Sequence, residues 1–225
     1  MLLKMISLDW RSMKIYQIRG LFIPLYILLF GLYMPLIVFP MSVFVFLSFS
    51  VNPFAVEENV EEKGELNYLY LTLPVSRRMI VTGRYLLSLI MMALGFICAA
   101  ILMPIANIFS TSKWYVGVKG YFLLISACYL LYAVLNLCMF PILFKIGYQK
   151  GKFLGFYFPV VFSTILVFIF NMISTLPGNE TLMFDIIMWA TENIVLVGII
   201  SIIAATLLMF ISYSLSLLLY SKREF

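Results

Sequence analysis

Residues 20–56, GLFIPLYILLFGLYMPLIVFPMSVFVFLSFSVNPFAV, form a run of 37 residues without a single charged side chain. A helix crosses the hydrocarbon core of a bilayer with about 20 apolar residues, so this run is too long for one crossing and long enough for two. Pro35 and Pro40 lie near its middle, where proline removes a backbone donor and disfavours continued helix. The run therefore predicts two membrane spans, 20–37 and 38–56, joined by a tight reversal.

The whole chain has the composition of a membrane protein. Of its 225 residues, 64% are hydrophobic and 11% are charged, whereas about 25% are charged in an ordinary soluble domain. Four further apolar stretches predict spans at about 84–110, 120–145, 153–175 and 193–220. We therefore predict an all-α integral membrane protein in which residues 1–225 form a single transmembrane domain with six transmembrane helices.

The basic residues orient these spans. Thirteen of the fifteen Lys and Arg residues fall on one side of the six-span arrangement, and only Lys113 and Lys119 fall on the other. The positive-inside rule assigns the richer side to the cytoplasm, so both termini are predicted to be cytoplasmic. Residues 1–19 mix basic and apolar side chains at helical spacing and are predicted to lie along the inner leaflet as an interfacial helix. The net charge of +5 thus indicates contact with lipid and no nucleic acid partner.

Several function classes lack the residues that they need. The chain has no histidine, which excludes His-ligated metals and His-based acid–base catalysis. No charged residue is placed in the middle of a span, where an ion-coupled carrier binds its proton or cation, and no phosphate-binding loop is present. We therefore expect a protein that is not an enzyme and has no energy source of its own.

Neutral polar and small residues within the spans are expected to serve helix packing. Side-chain amides at membrane depth form hydrogen bonds between helices, and small residues four positions apart allow helices to approach closely, either inside one bundle or at a dimer seam. The residues concerned are Asn107, Asn136, Asn171 and the pairs Gly95/Ala99, Ser201/Ala205 and Ser212/Ser216.

The loop between spans 2 and 3, residues 57–83, gathers much of the remaining charge. Within it, residues 65–72 carry apolar side chains at helical spacing, which predicts a short amphipathic helix ended by Pro74. Ser76 is placed to cap a new helix that enters the membrane as span 3. Arg77 and Arg78 then occupy the first turn of that helix, where its dipole disfavours cations. Either inner-leaflet phosphates or carboxylates of a docked protein are expected to compensate them.

This loop also resembles a known family. The segment LTLPVSRRMIVTGRYL is similar to the Leu-Pro-Val-Ser-Arg segment of the ABC type-2 permease family, in particular of a compact bacterial branch. Positions 73–77 match directly, Glu65 and Asn67 precede them, and Ile-Val at 80–81 and Arg-Tyr at 84–85 follow as in that branch. The branch includes permeases that export phenol-soluble modulins and other amphipathic or antimicrobial peptides from Gram-positive bacteria.

The resemblance implies the permease subunit of an ATP-driven exporter, a multi-pass protein of the bacterial plasma membrane. Such a subunit pairs with a second copy or a related permease and binds two copies of a separate ABC ATPase, which would hold ATP and Mg; this chain itself would need no cofactor. The implied coupling helix and its flank, which would contact the ATPase, comprise Glu65, Asn67, Leu69, Leu73, Pro74, Val75, Ser76, Arg77 and Arg78.

Alternatives to peptide export remain open at this point. The cargo of such an exporter could instead be a lipid or a small drug, and no substrate-contacting residue is evident. An energy-independent channel or scaffold would need no ATPase. A membrane-embedded transferase or protease would require catalytic residues that the sequence does not present.

Overall fold

The computed structural model describes residues 23–33, 35–59, 76–110, 117–147, 188–190 and 192–222. These residues are almost entirely helical, and no β-strand occurs among them. The main helices are α1 (Ile23–Tyr33), α2 (Val38–Asn59), α3 (Arg77–Phe109), α4 (Val118–Ile146) and α5 (Ile194–Ser221). The predicted interfacial helix at 1–19, the amphipathic helix at 65–72 and the span at 153–175 lie outside the described residues.

Three of the helices are long and apolar enough to cross a membrane, namely α3, α4 and α5. Helix α3 has 33 residues, which extend about 50 Å at 1.5 Å per residue and exceed the hydrocarbon thickness of about 30 Å. Helix α1 has 11 residues, and the apolar part of α2 is the shorter stretch Val38–Val51. The all-helical class is thus confirmed for the described residues, and the count of six spans stays a prediction.

The helix is interrupted between α1 and α2, at the place where the two prolines predict a break. Helix α1 ends at Tyr33, a 3-10 turn occupies Pro35–Ile37, and α2 begins at Val38. The turn is tight because Gly31 has no side chain: a Cβ built there would lie 2.6 Å from Val38 Cγ2 and 3.0 Å from Ala106 Cβ. Pro40 falls in the first turn of α2, where a missing N–H leaves no helical hydrogen bond unmade.

Two helix ends extend into the stretch predicted as a loop. Helix α2 continues to Asn59, and α3 begins at Arg77, directly after the cap predicted at Ser76 and before the membrane boundary expected near residue 84. Both extensions follow from the cooperativity of helix formation, since each added residue contributes a hydrogen bond once the helix exists. Part of the predicted loop is therefore helical.

Helix α3 runs antiparallel to α2, α4 and α5. The ring of Phe39 packs on Tyr121 near the starts of α2 and α4, with centroids 6.2 Å apart, and Phe54 packs on Phe144 near the ends of the same helices, at 4.9 Å. The first turn of α3 contacts the last turn of α5. We call the end of the bundle that holds the start of α3 and the ends of α2, α4 and α5 the Ser76 end, and the opposite end the Ser110 end.

Small residues bring these helices together. Gly95 of α3 faces Phe46 of α2, and a Cβ there would lie 3.2 Å from the Phe46 side chain. Gly198 of α5 faces the ring of Phe122 of α4, with no room for a Cβ. Ala99 and Ala205 are fully buried. Two of the small-residue pairs that the sequence indicates, Gly95/Ala99 and Ser212/Ser216, lie entirely at contacts inside this chain.

Candidate functional site

Only three of the nine predicted coupling residues lie in the part of the chain that the structure describes. Ser76, Arg77 and Arg78 open α3 at the Ser76 end, and all three side chains are exposed. The other six lie outside the described residues: Glu65, Asn67, Leu69, Leu73, Pro74 and Val75. The described part of the candidate site consists of the start of α3 and the residues that pack against it.

Ser76 is the N-cap of α3, as the sequence predicts. Its backbone is extended, with φ −69° and ψ 146°, and its Oγ accepts a hydrogen bond from the Met79 amide at 3.4 Å. The Ser76 carbonyl accepts from the same amide at 2.8 Å. These bonds satisfy a first-turn donor that has no partner within the helix and fix where the loop ends and α3 begins.

Arg77 finds its partner within the chain. Its Nη1 donates to the Ser221 carbonyl at 2.8 Å and approaches the Tyr220 carbonyl at 3.4 Å. The last carbonyls of a helix lack helical partners and form the negative end of its dipole. The end of α5 thus offsets the unfavourable position of Arg77 at the start of α3. The phosphate or docked carboxylate expected from the sequence stays a prediction for both arginines, and the Arg78 side chain is exposed.

Arg84 lies two turns further along α3 and is only 2% exposed. Its guanidinium carbon lies 3.9 Å from the centroid of the Phe54 ring of α2 and 5.9 Å from that of Phe144 of α4. The aromatic faces stabilise the charge where water is scarce. The sequence reading counted Arg84 among the boundary cations and did not select it as a site residue. The Arg-Tyr step in the motif was the available signal.

Tyr85, the next residue of α3, contacts α5 through its hydroxyl. Its hydroxyl shares hydrogen bonds with Ser212 Oγ at 2.6 Å and with Ser216 Oγ at 2.9 Å. Its ring meets that of Tyr213 edge-on, with centroids 5.4 Å apart. The sequence predicts that Ser212 and Ser216 allow close helix packing. In the structure they also form hydrogen bonds with the Tyr85 hydroxyl. Arg84 and Tyr85 together fasten α3 to α2, α4 and α5 at one level.

A second group of buried polar side chains lies one turn deeper. Ser88 Oγ shares a 2.6 Å hydrogen bond with the Tyr132 hydroxyl and donates to Asn136 Oδ1 at 3.2 Å. The Asn136 amide joins α4 to α3, which confirms the interhelical role predicted for it. Ser212 Oγ also approaches the Asn136 carbonyl, at 3.2 Å, so the two polar groups connect.

These residues are suited to holding helices together. Within the described residues, no group of three or more His, Cys, Asp or Glu side chains is placed to hold a metal ion. The polar atoms around Tyr85 and Ser88 belong to neutral hydroxyls and amides. The contacts connect the start of α3 to α2, α4 and α5.

Charge differs between the two ends of the described bundle. The Ser76 end carries exposed Arg77, Arg78, Lys145 and Lys222, whereas exposed Lys119 and Glu192 lie at the Ser110 end. Basic residues flank a membrane helix on its cytoplasmic side more often than on the other. The asymmetry read from the sequence is therefore reproduced by the arrangement of these helices.

Comparison with known proteins gives the family. A family model described as "ABC-2 family transporter protein" matches residues 1–221. No curated protein and no solved structure matches the chain significantly. The family match covers all of the described helices together with the loop motif at 71–86. With its long apolar helices and its nearly full-length match, the chain belongs to the ABC-2 transporter family, as a membrane transport component.

Proposed function

We propose that this chain is the permease subunit of an ATP-driven exporter in a bacterial plasma membrane. The observation that carries the proposal is the family match over residues 1–221. The helices are consistent with it: α3, α4 and α5 are apolar enough to cross a bilayer. The resemblance of the 71–86 segment to peptide-exporting permeases supplies the finer assignment.

The proposed energy source is a separate ABC ATPase, two copies of which bind ATP and Mg and contact residues 65–78 of two permease chains. The second permease is another copy or a relative. The start of α3 supports this assignment because Ser76 fixes the beginning of the helix within the 71–86 motif. A push on that segment would act on a 33-residue helix, and Arg77, Arg84 and Tyr85 would pass the movement to its neighbours.

The proposed topology has six spans with both termini in the cytoplasm. It is supported by the parallel course of α4 and α5. Helix α4 ends at the Ser76 end, whereas α5 starts at the Ser110 end, so the chain between them must return from one end to the other. The predicted span at 153–175 would make that return. The basic residues of the Ser76 end favour the cytoplasm for that end.

The proposed cargo is an amphipathic or antimicrobial peptide. A peptide of this kind enters from the inner leaflet along apolar helix surfaces, and α5 exposes a row of large apolar side chains on its outer side. The same surface would accept lipid tails, so lipids and small drugs are the competing cargo classes. A channel that needs no ATP is the competing mechanism.

The first test concerns the ATPase. The tagged chain is purified from its membrane with the ABC ATPase encoded near its gene, and co-purification is expected. Replacing Leu73, Val75 and Arg77 together with Ala should abolish it while insertion into the membrane is retained. The matched control is Lys119→Ala at the Ser110 end, which should keep the ATPase bound. Equal association in all three proteins would remove the coupling assignment.

The second test concerns the cargo. The complex is reconstituted in vesicles and supplied with one of three fluorescent probes: an amphipathic helical peptide, a phospholipid or a small lipophilic dye. ATP-dependent movement of the peptide is expected. ATP-dependent movement of the lipid or dye alone would overturn peptide export, and movement without ATP and ATPase would show a channel.

A further inference from the structure

Helices α3 and α5 are joined by a polar seam in the Ser76 half of the bundle. We define this seam by three side chains of α3, Arg77, Thr82 and Tyr85. Arg77 donates to the last carbonyls of α5. Thr82 Oγ1 lies 2.9 Å from the Tyr213 hydroxyl, and Tyr85 bonds two serines. Successive contacts therefore run antiparallel along both helices.

The buried centre of the seam is Tyr85. Ser212 and Ser216 are both fully buried, and Tyr85 is 5% exposed. Water does not compete at such a site, and a hydrogen bond that breaks leaves polar groups in an apolar surrounding. Separating α3 from α5 at Tyr85 would therefore cost the free energy of the broken hydrogen bonds in addition to that of the lost apolar contacts.

One turn further along α3, at Ser88, the buried hydrogen bonds join α3 to α4. Tyr132 of α4 bonds the Ser88 hydroxyl and donates to the Ser88 carbonyl at 2.7 Å. The Tyr132 hydroxyl joins α4 to α3, whereas the Tyr85 hydroxyl joins α3 to α5, so Tyr132 is a matched counterpart of Tyr85. Both are tyrosines with buried hydroxyls, one directed to each neighbour.

We propose that Tyr85, through Ser212 and Ser216, is the positioning residue that carries displacement of the start of α3 into the C-terminal half of α5. The proposal rests on the proposed function for the source of that displacement, namely an ATPase acting on residues 65–78. It assigns α5 a direct part in the response, although α5 is separated from the coupling segment by more than 100 residues. Arg77 ties the exposed ends of the same two helices.

The link itself is tested on the full chain alone, in lipid nanodiscs, by amide hydrogen exchange. In Tyr85→Phe, exchange in residues 210–221 of α5 should become several-fold faster than in the parent chain. The fold should persist, because Ser212 and Ser216 can turn to carbonyls of their own helix. In Tyr132→Phe, the acceleration should fall on α4 and spare α5. Equal protection of α5 in the Tyr85→Phe and parent chains would overturn the proposal.

The transmission is tested in the complex with the ATPase. Spin labels at Lys145 and Lys222, in a chain without its native cysteines, report the distance between the ends of α4 and α5. Trapping with ADP–vanadate should change this distance in the parent complex and in Tyr132→Phe, and the change should be lost in Tyr85→Phe with ATPase still bound. A change that survives Tyr85→Phe, or its absence in the parent complex, would overturn transmission through Tyr85. Failure of the ATPase to bind the parent chain would instead overturn the proposed function, and the exchange experiment would still decide the link.

Discussion

The guanidinium of Arg84 lies over the ring of Phe54, with its central carbon 3.9 Å from the ring centroid. Arg84 belongs to α3 and Phe54 to α2, and both are almost completely buried. A cation held over an aromatic face in a dry site gains about 2 kcal/mol, and the arginine stem adds apolar contact. This pair therefore fixes the start of α3 against α2 despite the presence of a charge in the core.

Replacing Arg84 with Ala should lower the free energy of unfolding by at least about 2 kcal/mol, because the cation–π contact and the packing of the stem are lost together. Reversible unfolding in mixed SDS and detergent micelles measures the change. Arg84→Lys keeps the charge but lacks the flat guanidinium, so its free energy of unfolding should lie between those of the parent and of Arg84→Ala. The control is Arg78→Ala on the exposed side of the same helix, with little expected effect. An Arg84→Ala protein as stable as the parent would show that the stacking contributes nothing.

A second prediction concerns Gly198, whose missing side chain makes room for the ring of Phe122. Gly198→Ala should destabilise the contact of α4 with α5 by about 1–3 kcal/mol, since a ring cannot yield as a flexible chain does. Phe122→Leu in the same protein should restore part of the loss, and the measurement is a double-mutant cycle by the same unfolding assay. Ser214→Thr adds one methyl group on the exposed side of α5 and serves as the control. Additive effects of the two changes would argue against this contact.

The cap of α3 gives a third prediction. Ser76→Ala removes the oxygen that accepts from Met79 and should cost about 1 kcal/mol, seen as faster hydrogen exchange of the amides at 78–80. Ser76→Asp keeps an acceptor and adds a negative charge at the helix start, so protection should match or exceed that of the parent. Ser201→Ala, which removes a hydroxyl bonded only within its own helix, should leave these amides unchanged. Unaltered exchange in Ser76→Ala would mean that the backbone alone holds the first turn.

The sequence was sufficient for features that depend on neighbouring residues. The helix break around Pro35 and the cap at Ser76 both follow from local backbone chemistry, and the structure confirms both. The reversal of chain direction after the break stays a prediction. Long apolar runs likewise located α3, α4 and α5, because in lipid a helix satisfies its own backbone hydrogen bonds.

The contacts of the charged residues could not be predicted from neighbouring residues in the sequence. Arg77 bonds a carbonyl 144 positions later in the chain, and no local pattern marks that pairing. The basic-residue pattern places Arg84 at a membrane boundary because charge at depth is costly, yet its guanidinium is buried against the rings of Phe54 and Phe144. From the sequence, Ser212 and Ser216 are recognisable only as a pair of small residues. Their hydrogen bonds with Tyr85 become evident only in the folded structure. The coupling role of all nine residues at 65–78 stays a prediction.

The last prediction concerns the orientation of the bundle. Arg78 lies at the Ser76 end and Lys119 at the Ser110 end, so single cysteines at these positions should be labelled from opposite sides of the membrane. Cys98, Cys128 and Cys138 are first replaced with Ala. A membrane-impermeant maleimide applied to intact cells should then label Lys119→Cys at once and Arg78→Cys only after permeabilisation, because the positive-inside rule assigns the more basic end to the cytoplasm.

Glu65→Cys and Glu180→Cys extend the test to the two loops of the predicted six-span topology and should behave like Arg78→Cys and Lys119→Cys, respectively. Labelling of Arg78→Cys and Lys119→Cys from the same side would contradict a membrane-crossing α3, and the reverse pattern would place the Ser76 end outside the cell, away from any cytoplasmic ATPase.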